Sequence, residues 1–459
     1  MNTAASLRLR AMTAALLASS LLAGCASVTR TPYVQPELPA EDAWEQQPLG
    51  ERLAAAGPWW NEFGDQRLSE LVERVLAGNG DLAAAGIRLG QARLLSNLAA
   101  RQLFPSASGG LSSGGSVALD GGDWSDGASA SVNAGWELDL FGRLDAERDA
   151  AAWDAEATEQ DLAATRLSLI GTTALAWWQL GYANEQIALG ERSLDYVRRA
   201  LELVERQYAA GAVSRLSLRD AQQSVASQEA TQTQLVQARV EVLQALAALL
   251  GQQSYDGPDN LALPTRDLPL VEPGLPAELL ARRPDLAAAE LRLRGTLAYA
   301  DAAEASYYPS LGLTGSLGTA SSALLSFLSN PVASLSAALS IPTLDPERVR
   351  LGIGIARADY DIAAENFRQA FYDALRDTAI ALSARDQYIR QAVFLEESYA
   401  AALDAEALYE RQYRAGLIPL RDWLDAQERL RSSESSLLQN RYNLLAAQLN
   451  LYQALGGAP

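Results

Sequence analysis

The chemistry open to this 459-residue chain is narrow, because it holds no histidine and one cysteine, Cys25. Imidazole bases, His or Cys metal clusters and intrachain disulfides are excluded by inventory. The sequence contains no serine nucleophile elbow, P-loop or phosphate-binding glycine motif. The 56 acidic residues against 37 basic ones leave a net charge of -19, which repels a nucleic-acid backbone, and no basic patch offsets it. A carboxylate pair of the kind that cleaves glycosidic bonds is the one enzymatic arrangement left open. Nothing reads as the pocket-bearing globular domain such a pair needs, so no catalysis, cofactor or metal is expected.

Cys25 does have a chemical context. Arg8 and Arg10 precede an apolar run from Ala11 to Ala23, which has the charged and apolar parts of a secretory signal and is too short to span a membrane comfortably. The run ends in Leu22-Ala23-Gly24-Cys25, a lipobox. Its small residues admit the signal peptidase, and the thiol of Cys25 takes the diacylglycerol. Residues 1–24 are thus expected to be a lipoprotein signal peptide, and 25–65 an acylated anchor with an extended N-terminal segment. Several acyl chains anchor firmly, each buried methylene adding about 0.8 kcal/mol. Ala26 follows the cysteine where an aspartate would signal retention, which points to the outer membrane. After Ala23 no stretch of 18 apolar residues occurs, so any crossing of the membrane must be made by strands.

The elements come in two copies. Asp81-Leu82-Ala83-Ala84-Ala85 recurs as Asp285-Leu286-Ala287-Ala288-Ala289, and Pro105-Ser106 as Pro309-Ser310. Further on, Arg206-Gln207-Tyr208 recurs as Arg411-Gln412-Tyr413, and Leu250-Gly251 as Leu455-Gly456. The period of about 200 residues is far longer than a solenoid repeat. The expected organisation is a first repeat over 66–251, a Pro- and Gly-rich linker over 252–275, a second repeat over 276–456 and a tail at 457–459.

Within each repeat the periodicity changes. Residues 66–104 read as helix, ending before Pro105. Strands are expected at 106–119 and 129–141, then at 310–318 and 332–341. From Ser129 to Leu140 the pattern has period two, with Ala130, Val132, Ala134, Trp136, Leu138 and Leu140 on one face and Ser129, Ser131, Asn133, Gly135, Glu137 and Asp139 on the other. Its length suits a tilted transmembrane strand, with lipid on the apolar face and water on the polar one. Four strands cannot close a barrel, and open edges are forbidden in lipid. The chain must therefore oligomerise, and three copies would give twelve strands. Long helical hairpins complete each repeat, turning near Gly211 and near Gly416, where Pro419 forbids continuation. The span 142–209 would reach about 100 Å as a helix.

At these residues the chain resembles the outer membrane factor family, the TolC-type exit ducts, and more closely its lipoprotein branch in multidrug efflux. The marks are Trp59-Trp60-Asn61-Glu62-Phe63-Gly64-Asp65, then Trp136-Glu137-Leu138-Asp139-Leu140-Phe141-Gly142-Arg143, and Leu280-Ala281-Arg282-Arg283-Pro284-Asp285-Leu286. Trp59 and Trp60 are expected to be packing residues. The resemblance implies a mainly α fold with a membrane β part. An internally duplicated protomer of long helical hairpins plus four strands would trimerise into a 12-stranded β-barrel continuous with a periplasmic α-helical barrel. It further implies a passive exit duct gated at the helical tips, whose partners are a homotrimer, a periplasmic adaptor, an inner-membrane pump and outer-membrane lipid. Asp422 and Asp425 fall on the family's acidic constriction, and Tyr413 on a tyrosine that holds neighbouring helices closed. A basic residue that some members carry at the position of Ile418 is missing, and Arg421 is the candidate substitute. Gly211, Gly416, Arg206 and Arg411 mark the tips where the adaptor would dock. A different reading of the same hairpins is a periplasm-spanning structural or adhesive coiled-coil lipoprotein, which predicts no conductance. The sequence does not name the cargo.

Overall fold

A computed structural model of the protein describes residues 30–38, 58–117, 119–121, 123–266, 268–269, 271, 282–321 and 331–457. The signal peptide, Cys25 and the lipobox lie outside the described residues, as do parts of the linker and tail. After a 3-10 turn at Trp59–Phe63 the elements are α1 (Gln66–Gly78), α2 (Gly80–Arg101), β1 (Ser106–Ser116), β2 (Ser125–Leu138), α3 (Arg143–Ala209) and α4 (Arg215–Leu249). The second half gives α5 (Pro284–Ala305), β3 (Ser310–Ser321), β4 (Pro331–Ser340), α6 (Pro346–Arg414) and α7 (Leu420–Ala454).

The duplication extends to element length. Helices α2 and α5 each have 22 residues, α4 and α7 each have 35, and α3 and α6 have 67 and 69. It also extends to the caps. Ala212 N–H donates to the Gln207 carbonyl at 2.8 Å and Leu417 N–H to that of Gln412 at 3.0 Å, around Gly211 (φ 76°) and Gly416 (φ 73°). This is the Schellman closure, and a left-handed residue at that point favours glycine.

One expectation needs correction. The helix read over 66–104 is two helices, because Asn79 is extended (φ -72°, ψ 128°) between Gly78 and Gly80. Its Oδ1 accepts from the N–H groups of Asp81 and Leu82 at 3.0 and 3.1 Å, capping α2, while its Nδ2 donates to the Leu249 carbonyl at 3.0 Å. An asparagine that satisfies three backbone groups outweighs the helix propensity of the surrounding alanines and leucines.

The chain divides into two units, residues 1–38, 87–161 and 285–370, and residues 39–86, 162–284 and 371–459. The first unit holds one antiparallel sheet in the order β1-β2-β3-β4. Its N-terminal segment is tied to the helices by Thr31, whose N–H and hydroxyl donate to the Asp301 carboxylate at 2.9 and 2.7 Å, and by Arg30 on Asp149 at 3.0 Å. The strand β2 ends at Leu138 because Asp139 turns to the next helix, accepting from the Asp145 N–H at 2.8 Å beside Gly142 (φ 77°). The core of the second unit is aromatic. Trp59 and Trp60 are buried, Trp59 stacks on Tyr452 at 5.0 Å, and Phe63 meets the Trp178 ring edge-on at 4.9 Å. These are the packing roles expected of them. Among the described residues no helix is long and apolar enough to cross a membrane.

Candidate functional site

Two regions have an arrangement beyond packing, the sheet of the first unit and the hairpin tips of the second. In the sheet, register decides which side chains share a face. Val132 lies opposite Leu317, Trp136 opposite Leu313, Leu138 opposite Leu311, Leu311 opposite Leu339 and Gly315 opposite Leu335. The neighbouring rows set Asn133 against Ser108 and Ser316, and Ser334 against Ser316. One face is therefore largely apolar and the other small and polar across β2, β3 and β4, and β1 adds Ala107 and Leu111 to the apolar side. The polar face is knit by serine pairs, with Ser112 and Ser129 hydroxyls at 2.7 Å and Ser316 and Ser334 at 2.7 Å. The apolar side chains Leu111, Val132, Leu317, Leu335 and Leu339 are exposed, Leu335 by 85%. An apolar face of this extent in water would be an aggregation site, and both outer edges, β1 and β4, lack a strand partner among the described residues.

At the tips, both hairpins are closed by the glycine turns described above, and the returning helices start differently. Ser214 caps α4 by accepting from the Ser217 N–H at 3.2 Å, whereas Pro419 starts α7 with no side-chain cap. Asp422 falls in the first turn of α7, where a carboxylate complements the uncompensated N–H groups. Asp425 follows one turn on and is exposed. Arg421 reaches Asp425 at 3.9 Å with 83% of its side chain in solvent, a loose pair that holds little. Arg206 folds back on its own helix, toward Glu202 at 3.6 Å, and Arg411 donates to the Ala407 carbonyl at 3.2 Å.

Tyr413 is placed differently from the half-buried Asp422 and the exposed Asp425, Arg421, Arg206 and Arg411. Its ring is buried and stacks on Trp423 at 5.1 Å, and its hydroxyl donates to Gln207 Oε1 at 2.7 Å, joining α6 to α3. Burial pushes the Tyr413 phenol above its ordinary range, the Gln207 bond pulling the other way. Sequence reasoning missed the residues behind it. Trp423 is 4% exposed and Glu406 is 8% exposed. Glu406 accepts from the Trp423 indole N–H at 3.1 Å and from the Tyr196 hydroxyl on α3. The Tyr196 phenol is also raised, by burial first and then by Glu406. Ala200, Val204, Ala221 and Leu420 complete this core. The one cue in the sequence is the spacing of Glu406 and Tyr413, which at seven residues share a helix face.

Among the described residues no group of three or more acidic or Cys side chains is placed to hold a metal ion. Cys25, the remaining expected site, lies outside the described residues.

The comparisons agree with this geometry. The family model of outer membrane efflux proteins matches residues 71–252 and 275–457, one match on each half. The pyoverdine export outer membrane protein OpmQ of Pseudomonas aeruginosa is 30% identical over 460 residues, 96% of this chain and 96% of that one. Toxin and drug export protein A of Aggregatibacter actinomycetemcomitans is 27% identical over 455 residues, 98% of each chain. Among solved structures, the open state of the MtrE outer membrane channel of Neisseria gonorrhoeae matches with a TM-score of 0.82 at 27% identity, over 93% of this chain and 98% of that one. With its duplicated hairpins and two-faced sheet, the chain belongs to the outer membrane efflux protein family, whose members are transport channels and not enzymes.

Proposed function

We propose that three copies of this chain assemble into the outer-membrane exit duct of a tripartite efflux or secretion system. The observation that carries the reading is the four-stranded sheet, apolar on one face, polar on the other and open at both edges. In lipid such a sheet is stable only when its edges are paired, and three copies would close a twelve-stranded cylinder with the apolar face outward. The alternative of a non-conducting coiled-coil stalk offers no use for the polar rows of serine.

A periplasmic adaptor and its inner-membrane pump are the partners in this reading. The adaptor docks at the tips beside Gly211 and Gly416, where Arg206 and Arg411 are exposed and available for ion pairing. Asp422 and Asp425 form the gate. Three copies bring six carboxylates into a narrow aqueous neck, which recruits cations and repels anions. Tyr413 holds that neck through its bond across the two hairpins. Residues 1–24 are a signal peptide, the Cys25 thiol carries the diacylglycerol, and the amino group freed by cleavage carries the palmitate, so that several chains anchor the mature protein. Two relatives are named for pyoverdine export and for toxin and drug export, and the cargo class here is small molecules handed over by the pump.

The gate is tested by D422N/D425N in planar bilayers. Neutralising both side chains should lower the cation-to-anion permeability ratio by about threefold or more, as expected for a charged constriction. Unchanged ion selectivity would remove the gate role from these residues.

A further inference from the structure

The tips contain a buried carboxyl group that a duct gated by surface aspartates does not require. Glu406 lies on α6, seven residues before Tyr413, and is 8% exposed. Among the described residues no arginine pairs with it. Its Oε1 accepts instead from two aromatic donors on different helices, the Trp423 indole on α7 at 3.1 Å and the Tyr196 phenol on α3. These two rings and Tyr413 form one aromatic cluster. Trp423 is parallel to Tyr413 at 5.1 Å and meets Tyr196 edge-on at 5.5 Å. On its outer side Tyr196 is covered by the Arg199 guanidinium at 5.9 Å.

Burying a carboxyl group without a cation is costly, and a chain under no constraint would fill the position with an apolar residue. What the arrangement gains is a join between hairpins. Tyr196 belongs to the first hairpin, and Glu406 and Trp423 belong to the second. Hydrogen bonds to a carboxylate are about twice as strong as neutral ones, and they strengthen where water is excluded. The bond from Tyr413 to Gln207, the other join at the tips, is between neutral groups and lies toward the turn. Higher up, α3 meets α7 through Arg192 on Glu434 at 2.5 Å, where the Arg192 side chain is 60% exposed and contributes little, and through the neutral pair of Gln186 with the Ser435 hydroxyl at 3.0 Å.

We propose that Glu406, bridging Tyr196 and Trp423, is the principal latch that holds the two hairpin tips of each protomer together. It sets how readily the mouth opens, while Asp422 and Asp425 set which ions pass. Separating the hairpins breaks the Tyr196 bond and strands that buried hydroxyl, while the Trp423 bond stays within the second hairpin and holds the carboxyl group in place, so the packed state resists opening until an input from outside compensates. This assignment rests on the reading that the tips are the gate.

The test uses the full-length protein in planar bilayers, with wild type, Y196F, E406Q, E406L and D422N/D425N compared for single-channel open occupancy and ion selectivity. Y196F removes one hydroxyl and E406L the acceptor of both bonds. Each should raise open occupancy about tenfold, the shift that follows loss of one buried charge-assisted bond, with selectivity unchanged. E406Q keeps a carbonyl oxygen toward both donors but loses the charge assistance, and should fall between wild type and Y196F. Should E406L fail to assemble in detergent, Y196F against E406Q decides alone. Wild-type occupancy in Y196F, together with altered selectivity in D422N/D425N, would overturn the latch and leave the gate standing. If neither set changes any channel property, the tips are not the gate, and both assignments fall.

Discussion

Asn79 shows how much one side chain can decide. Its amide satisfies two N–H groups at the start of α2 and the carbonyl of Leu249 at the end of α4, and it is buried. Replacing it with alanine removes the cap and strands a carbonyl, at a cost of about 2–3 kcal/mol. Amides in the first turn of α2 should then exchange with solvent about 30-fold to 150-fold faster in N79A, a factor of 10 for each 1.4 kcal/mol. Wild-type protection there would show that the cap is idle. In the sequence the tripeptide Gly78-Asn79-Gly80 was the available cue, and the alanines and leucines around it concealed the break. Asp422, Asp425 and Tyr413 were singled out through the family resemblance, from their places on either side of the Gly416 turn. Glu406, Trp423 and Tyr196 were not. Their bonds join residues 17 and 210 positions apart, and no local pattern records such a pairing.

At the scale of elements, the strands were legible where side chains alternate in size. The stretch from Ser129 to Leu138 carries apolar and polar residues in strict alternation, and β2 holds them on opposite faces as that pattern requires. β1 is nearly all glycine and serine, so its own sequence says little, and pairing with β2 from Ser106 to Ser116 is what makes it a strand. The functional consequence is that neighbouring residues on β4 should tolerate charge unequally. Leu335 projects from the apolar face and Ser334 from the polar one. L335R places a cation toward lipid, costing about 2–4 kcal/mol at mid-depth, and should sharply reduce the amount of assembled protein recovered from outer membranes. S334R should assemble at wild-type level and lower single-channel conductance by narrowing the lumen. Equal recovery of the two variants would mean that the faces are not sorted between lipid and water.

For the whole molecule, one architectural fact follows from duplication. Matching helices, matching caps at Gly211 and Gly416 and matching family segments make the chain two similar halves, each contributing a strand pair and a hairpin. A two-fold repeat supplies four strands, which is half of the smallest closed barrel. The deficit can only be met by further copies, and the odd factor of three is what turns four strands into twelve. The sequence conveyed this logic because the repeat is visible as recurring segments and the alternation is a local signal. The number of copies was not local, and came from the resemblance.

The most direct measurement is therefore the molar mass of the detergent-solubilised, purified protein by light scattering, with the detergent contribution subtracted. Three chains per particle, insoluble when the detergent is withdrawn even after the acyl anchor is removed, is the predicted result. A single chain that remains dissolved in plain buffer without its anchor would contradict the duct.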